Sequence, residues 1–342
     1  MPSFVKTLAV LASVTTVVTP SPVDSKQGKD FSIKQLAIPN SHLVNDGAAA
    51  LARVYENVGD GKPPLVARQE QRGSKTANVT ASPNLGEAQY LTPVKIGTPP
   101  VTFNVNLDTT PADSWVIDAS FKSVWRHNEK VYNASKSSTS KLSSRAKWEW
   151  NYARGNEASG AVYTDLVEMG GLSYVKQVVQ SATKLGKITR TDVSDGTMGL
   201  AFNLPQFGFA EKAHGGPGGF DFGTLPAGRY TGDIAYVPAD NSLGYWNFTI
   251  DNVSVGKARM DKKPFAGVVD TGTTFLLLEF WLVKGRFLNY SPMSDDQTTC
   301  VGGIQPTPIR GYHVIGVAAL RAVYVVLDAS KTPRIGWATK KL

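Results

Sequence analysis

Asp108 and Asp270 are the residues whose type and spacing could do chemistry. Each opens an Asp-Thr dipeptide behind a short apolar run, in Asn106-Leu107-Asp108-Thr109-Thr110 and in Val268-Val269-Asp270-Thr271-Gly272-Thr273-Thr274. They stand 162 positions apart, about one domain length. Equivalent carboxylates from the two halves of one chain imply a pseudo-twofold molecule with a single shared site. Two carboxyl groups in contact cannot both ionise, so one stays protonated as an acid while the other serves as a base.

Such loops must be held by strands. From Tyr90 onward the sequence reads as β structure: 90–96, 102–107, 114–117, 161–169, 174–181, 246–255 and 324–328 are rich in β-branched and aromatic residues, with turn residues between them. Helical signals are short, and the best covers Leu276 to Phe287. An all-β, bilobal molecule with a cleft between its lobes follows.

Composition agrees. The chain has 342 residues, 42% of them hydrophobic, enough to bury one large core or two. Charged residues make up only 19% while Gly and Pro number 32 and 20, a balance that suits a turn-rich β protein better than a helical bundle. The formal charge is +8, yet the basic residues are scattered and form no run that would bind nucleic acid.

Lys6 precedes an apolar stretch from Leu8 to Val18, closed by Pro20, which fits a secretory signal over 1–19 and is too short to span a membrane. Residues 20–72 are polar and poor in aromatics; a pro-segment or a flexible linker would both look like this. Asn-x-Ser/Thr sites begin at Asn78, Asn133, Asn247, Asn252 and Asn289, compatible with a secreted glycoprotein. Cys300 is the single cysteine, and no His lies in a context that would activate it. His42, His127, His214 and His313 are dispersed without metal-ligand spacing, so no metal and no cofactor is expected. The Gly-rich piece 214–219 lacks the Lys-Ser/Thr ending of a phosphate loop.

Several segments, taken in order, carry a resemblance to the pepsin-like aspartic proteases of the secreted fungal kind. Glu87 to Val94 with Ile96-Gly97 is similar to the start of the mature enzymes, and Asp108-Thr109-Thr110-Pro111-Ala112-Asp113-Ser114-Trp115-Val116 to their first catalytic motif. Trp150-Asn151-Tyr152-Ala153-Arg154-Gly155 resembles the hairpin flap. Asp195 to Phe202 resembles the loop that braces the first Asp, Asp270 to Leu278 the second motif, and Val314-Ile315-Gly316 its brace. Phe31 to Gln35 is similar to the family's pro-segment. The likeness runs from about residue 85 to the C-terminus.

The resemblance implies a polypeptide substrate and a water held between Asp108 and Asp270. The ionised carboxylate takes a proton from the attacking water and the protonated one donates to the carbonyl oxygen. Thr109 and Thr271 would cross-bond the two loops, with Gly272, Thr273 and Thr274 supporting Asp270. Tyr152 would sit on the flap with Trp115 as its hydrogen-bond partner. The expected organisation is a signal peptide (1–19), a pro-segment (20–72) that partners its own enzyme, and a peptidase domain (73–342). That domain divides into an N-lobe of about 85–240 and a C-lobe of about 241–342, the whole a monomeric secreted protein. Removing 1–72 takes away eight basic and six acidic residues, leaving a charge of +6 from the original +8.

The sequence also departs from the pattern. Thr110 replaces the motif's Gly, which predicts strain or a shifted Asp108. Pro111 replaces a Ser that would bond the first Asp, and removes a backbone donor as well. Ala153, Arg154 and Val317 stand where the resemblance implies Gly, Asp and Asp. Against the family pattern the segments after Phe202 and after Val283 are shortened, and the resemblance places the partner of Cys300 in the second gap. Three readings remain open on the sequence: an acid endopeptidase, an impaired relative that binds peptides in its cleft, and a product of a mistaken gene model.

Overall fold

Alternation writes the inner strands. In Gln89–Ile96 the side chains of Thr92, Val94 and Ile96 point into the core while Pro93 and Lys95 face outward, the period-two pattern of a sheet with one wet face. Val323–Asp328 is buried at every position, as befits a strand covered on both sides.

The computed structural model describes residues 8–10, 15–18, 33–34, 70–73, 76–84, 89–122, 130–144, 146, 148–152, 156–186, 194–201, 207–210, 218–242, 244–255, 258–259, 264–278, 289–293, 296–307 and 312–341. Apart from three short strands, the expected signal and pro-segment lie outside these residues up to Glu70. Residues 153–155 of the expected flap and most of 276–287 also fall outside them.

We number β1 (Ala77–Asn84), β2 (Gln89–Ile96), β3 (Val101–Asp108), β4 (Ser114–Ile117), β5 (Trp148–Tyr152), β6 (Asn156–Met169), β7 (Leu172–Leu185), β8 (Gly196–Gly199), β9 (Phe207–Ala210), β10 (Gly218–Phe222), β11 (Tyr230–Pro238), β12 (Asn247–Ile250), β13 (Phe265–Val269), β14 (Leu276–Leu278), β15 (Ile304–Pro306), β16 (Tyr312–Ile315), helix α1 (Val317–Leu320), β17 (Val323–Asp328) and β18 (Arg334–Lys340). The N-terminal half runs β5-β6-β7-β4-β8-β3-β2-β1 across its sheet. The C-terminal half has a smaller sheet, β12-β13-β16-β14-β15. Strands from both ends of the chain share a third layer, β1-β10-β9-β17-β18-β11, in which β17 pairs with β9 and β18 with β11.

The two halves repeat one arrangement. In the first, β3 runs in and ends at Asp108, and β4 runs out. The later strand β8 inserts between them, parallel to β3 with Gly199 opposite Asp108 and antiparallel to β4. In the second, β13 runs in to Val269 and β14 runs out. Here β16 inserts between them, parallel to β13 with Ile315 opposite Val269 and antiparallel to β14. The outgoing strand then pairs in parallel with β7 in one half and with β15 in the other.

One expectation is corrected here. Leu276–Leu278, read as the start of a helix, is strand β14. All three leucines are buried, paired to β15 on one side and β16 on the other. A short continuous apolar run fits a buried strand and a buried helix equally well, and sheet pairing decides between them. Among the described residues no helix is long and apolar enough to cross a membrane.

Candidate active site

Both carboxylates sit where an inserting strand ends. Asp108 closes β3, and its carbonyl accepts from Leu200 N at 2.6 Å, directly after β8. Asp270 follows β13, and its own N–H donates to the carbonyl of Ile315 at the end of β16, 3.1 Å away. The chain segments that leave these loops are held too. Ala201 N donates to Pro111 O at 3.1 Å, and Val317 N and Ala318 N at the start of α1 donate to Thr273 O and Thr274 O, each at 2.8 Å.

Beneath the carboxylates the loops are cross-bonded. Thr109 N donates to Thr271 Oγ1 at 3.1 Å and Thr271 N to Thr109 Oγ1 at 3.0 Å. Each hydroxyl then donates into the opposite half, Thr109 Oγ1 to Val269 O at 2.8 Å and Thr271 Oγ1 to Leu107 O at 2.6 Å. All four bonds are buried, so both N–H groups and both hydroxyls of the crossing are matched within the protein. A further tie is Trp246, fully buried, whose Nε1 donates to Leu200 O at 3.0 Å.

The carboxylates lie within reach of one another, both nearly inaccessible. Gly272 packs on Asp108 so closely that a Cβ there would fall 2.1 Å from Asp108 Oδ2. Asp270 is the better supplied with donors. Its Oδ1 accepts from Gly272 N (2.8 Å) and Thr273 N (3.0 Å), and its Oδ2 from Thr273 Oγ1 (2.6 Å). Thr110 gives Asp108 two bonds, both on Oδ1: from N at 2.9 Å and from Oγ1 at 2.7 Å. Thr110 Oγ1 also stands 3.4 Å from Asp270 Oδ1.

The electrostatics follow. Burial holds the Asp108 carboxyl far above the usual carboxylate range, and the neighbouring Asp270 charge pushes it higher still; the Thr110 bonds oppose both. Asp270 is also raised by burial, but the Thr273 hydroxyl and the N–H groups of Gly272 and Thr273 favour its ionised form. The pair therefore holds a proton above the usual carboxylate range, and Asp108 is the member with less support for a charge.

Every expected supporting residue lies at the site: Thr109, Thr271, Thr273 and Thr274 are buried and Gly272 is half-buried against Asp108. The strain expected at Thr110 is absent, since Lys176 is the one described non-glycine residue with positive φ. Tyr152 ends the first strand of a hairpin with its backbone opposite Asn156. Trp115 is buried and stacks on Trp148, ring centroids 6.4 Å apart.

Three residues have contacts that the sequence did not reveal. Trp148 supplies the flat partner for Trp115, and Asp113 and Gln180 form a buried pair beside it, the Gln180 amide donating to the Asp113 carboxylate. Burial raises the Asp113 carboxyl and the Gln180 bond works against that rise. Nothing in local sequence marks this pair, because residues 113 and 180 meet only through the parallel pairing of β4 with β7. Among the described residues no group of three or more His, Cys, Asp or Glu could hold a metal ion.

Known proteins are similar to this chain in sequence. The family model described as eukaryotic aspartyl protease matches residues 89–212 and 205–285. Penicillopepsin-3 of Penicillium janthinellum is 31% identical over 376 residues, covering 92% of this chain and 93% of the relative. Aspergillopepsin-1 of Aspergillus oryzae (strain ATCC 42149 / RIB 40) is 30% identical over 406 residues, 98% of each protein. Endothiapepsin of Cryphonectria parasitica is 28% identical over 382 residues, 91% of this chain and 90% of its own length. With two Asp-bearing loops cross-bonded across a repeated strand arrangement, and with similarity that runs almost end to end, the chain belongs to the eukaryotic aspartyl protease family.

Proposed function

We propose that this chain is a secreted aspartic-type endopeptidase that hydrolyses polypeptides in acid, using Asp108 and Asp270 on one water. The observation that carries the reading is the unequal supply of donors to two adjoining buried carboxylates. Three donors on Asp270 favour its charged form, so it is the base. Asp108, crowded by that charge and by burial, holds the proton and is the acid. Water attack on the scissile carbonyl passes a proton to Asp270 while Asp108 donates to the carbonyl oxygen, and no covalent intermediate forms. By the resemblance, Tyr152 would serve on the flap with Trp115 as its partner. The chain acts as a monomer, and residues 1–72 serve as a signal and a pro-segment whose removal gives the active form.

Asp270→Asn tests the reading. The amide keeps the shape and cannot take the proton, so cleavage of an unfolded protein substrate at acid pH should fall by about 10² to 10⁴. Unchanged cleavage, or a parent optimum at neutral pH with no inhibition by pepstatin, would sink it. A second reading, a peptide-binding relative with impaired turnover, has one observation in its favour. Pro111 stands where Thr273 stands in the other loop, and it can supply neither of Thr273's two bonds. Peptide binding without cleavage in the parent would favour it.

A further inference from the structure

The loops that carry Asp108 and Asp270 superpose by sequence offset, so Thr110 corresponds to Gly272 and Pro111 to Thr273. In the second loop the residue three places after the Asp donates twice, through N to Oδ1 and through Oγ1 to Oδ2. Proline has no N–H and no hydroxyl, so the first loop loses both donors at that place. The residue one step earlier has meanwhile gained a hydroxyl. Thr110 Oγ1 reaches Asp108 Oδ1 at 2.7 Å, beside the Thr110 N–H at 2.9 Å.

We propose, on the reading of Asp108 and Asp270 as the reacting pair, that Thr110 is a positioning residue whose hydroxyl supplies the donor that Pro111 withholds, making 110 and 111 a compensating pair. Three features carry this. The hydroxyl lies between the carboxylates, 3.4 Å from Asp270 Oδ1 as well, and so contacts the acid and the base together. The backbone at 110 is not left-handed, so a β-branched residue sits there without that strain. The converse exchange is closed to the other loop, where a Cβ on Gly272 would meet Asp108 Oδ2 at 2.1 Å. A side chain is tolerated on one side of the pair only, and the residue found there donates to the carboxylate that lacks donors. The single hydroxyl proton favours the 2.7 Å contact with Asp108 Oδ1 over the longer 3.4 Å approach to Asp270 Oδ1.

A hydroxyl donor favours the ionised carboxylate, so its removal must raise the pKa of Asp108. The test compares Thr110→Val, which keeps the shape, with Thr110→Ser, which keeps the hydroxyl, and with Thr110→Gly/Pro111→Ser, which moves the hydroxyl one residue on. Carboxyl-carbon NMR titration of Asp108 in the full chain, assigned with Asp108→Asn, reads the effect without turnover. In Thr110→Val the midpoint should rise by about one pH unit. In Thr110→Ser and in the double variant it should stay at the parent value. In the hydrolysis profile, the basic limb of Thr110→Val should move to higher pH by the same amount, with kcat about tenfold lower and KM little changed. A Val variant that titrates like the parent, or a Ser variant that titrates like Val, overturns the proposal. A parent that cleaves nothing in acid removes the proposed function, while the titration still decides the role of Thr110.

Discussion

Thr109 and Thr271 each donate a backbone N–H to the other's hydroxyl, at 3.1 and 3.0 Å, and each hydroxyl donates onward into the opposite half of the molecule. The crossing is a fixed joint between the loops. Valine at either position keeps the volume, orphans a buried N–H and removes a second bond. Thr109→Val and Thr271→Val should each destabilise the fold by about 2 kcal/mol, while Thr109→Ser and Thr271→Ser should cost less than half of that. Denaturant unfolding of the four variants checks the difference.

Gly272→Ala probes the tightness of the dyad. Its methyl would lie 2.1 Å from Asp108 Oδ2, so the carboxylate has to move. Activity in acid should fall at least about 10²-fold. The unfolding transition should stay cooperative, because the contact is with one side chain and not with a strand. A calorimetric scan alongside the assay separates the two effects.

The dyad makes stability depend on pH in a direction opposite to that of a salt-bridged carboxylate. The Asp108 carboxyl is raised from an ordinary 3.8 to about 8, so the folded state binds its proton more tightly than the unfolded chain. Its stabilising contribution is complete below pH 3.8 and is lost as pH rises toward 8. His313 pulls the other way. Buried against Phe265, it is lowered from 6.5 to about 4 and weakens the fold as pH drops through that window. Melting temperatures of the parent and of Asp108→Asn, measured from pH 4 to 8, isolate the first contribution: the variant should gain stability relative to the parent as pH rises.

Glycan sites should divide by burial. Asn247 and Asn252 are 4% and 3% exposed, and a glycan on either would be incompatible with the packed strand entry they occupy. Asn133 is half-exposed, and its Oδ1 accepts from Ser135 N and Ser135 Oγ, which leaves the amide nitrogen pointing away from those bonds. Peptide mapping of secreted protein should find carbohydrate at Asn133 and none at Asn247 or Asn252.

The two candidate Asp loops were legible because they recur: Asp108-Thr109 and Asp270-Thr271 repeat within one chain, and strands such as 114–117 were read at their observed bounds. The role of Thr110 was not legible. A threonine in place of glycine reads as strain until the partner of its hydroxyl is known, and that partner is defined by the meeting of two loops. Leu276–Leu278 escaped for a similar reason, since its state depends on β15 and β16, which come later in the chain. Asp113 and Gln180 are polar residues that meet across more than sixty positions, and Trp148 is buried against Trp115, 33 residues earlier. Long-range pairing is the information that local pattern lacks.

The layer built from both ends of the chain carries a consequence for biosynthesis. β9 pairs Phe207 with Leu327 and β1 pairs Ala81 with Gly218, so the layer cannot close until β17 has emerged. A nascent chain that ends before residue 323 presents β9 with one side unpaired, an open edge able to recruit a neighbouring chain. Vectorial folding of the N-terminal half should therefore pause at this seam. A chain with so much non-local pairing should fold slowly and depend on its last strands, and loss of the final hairpin should be felt first as aggregation of the newly made chain.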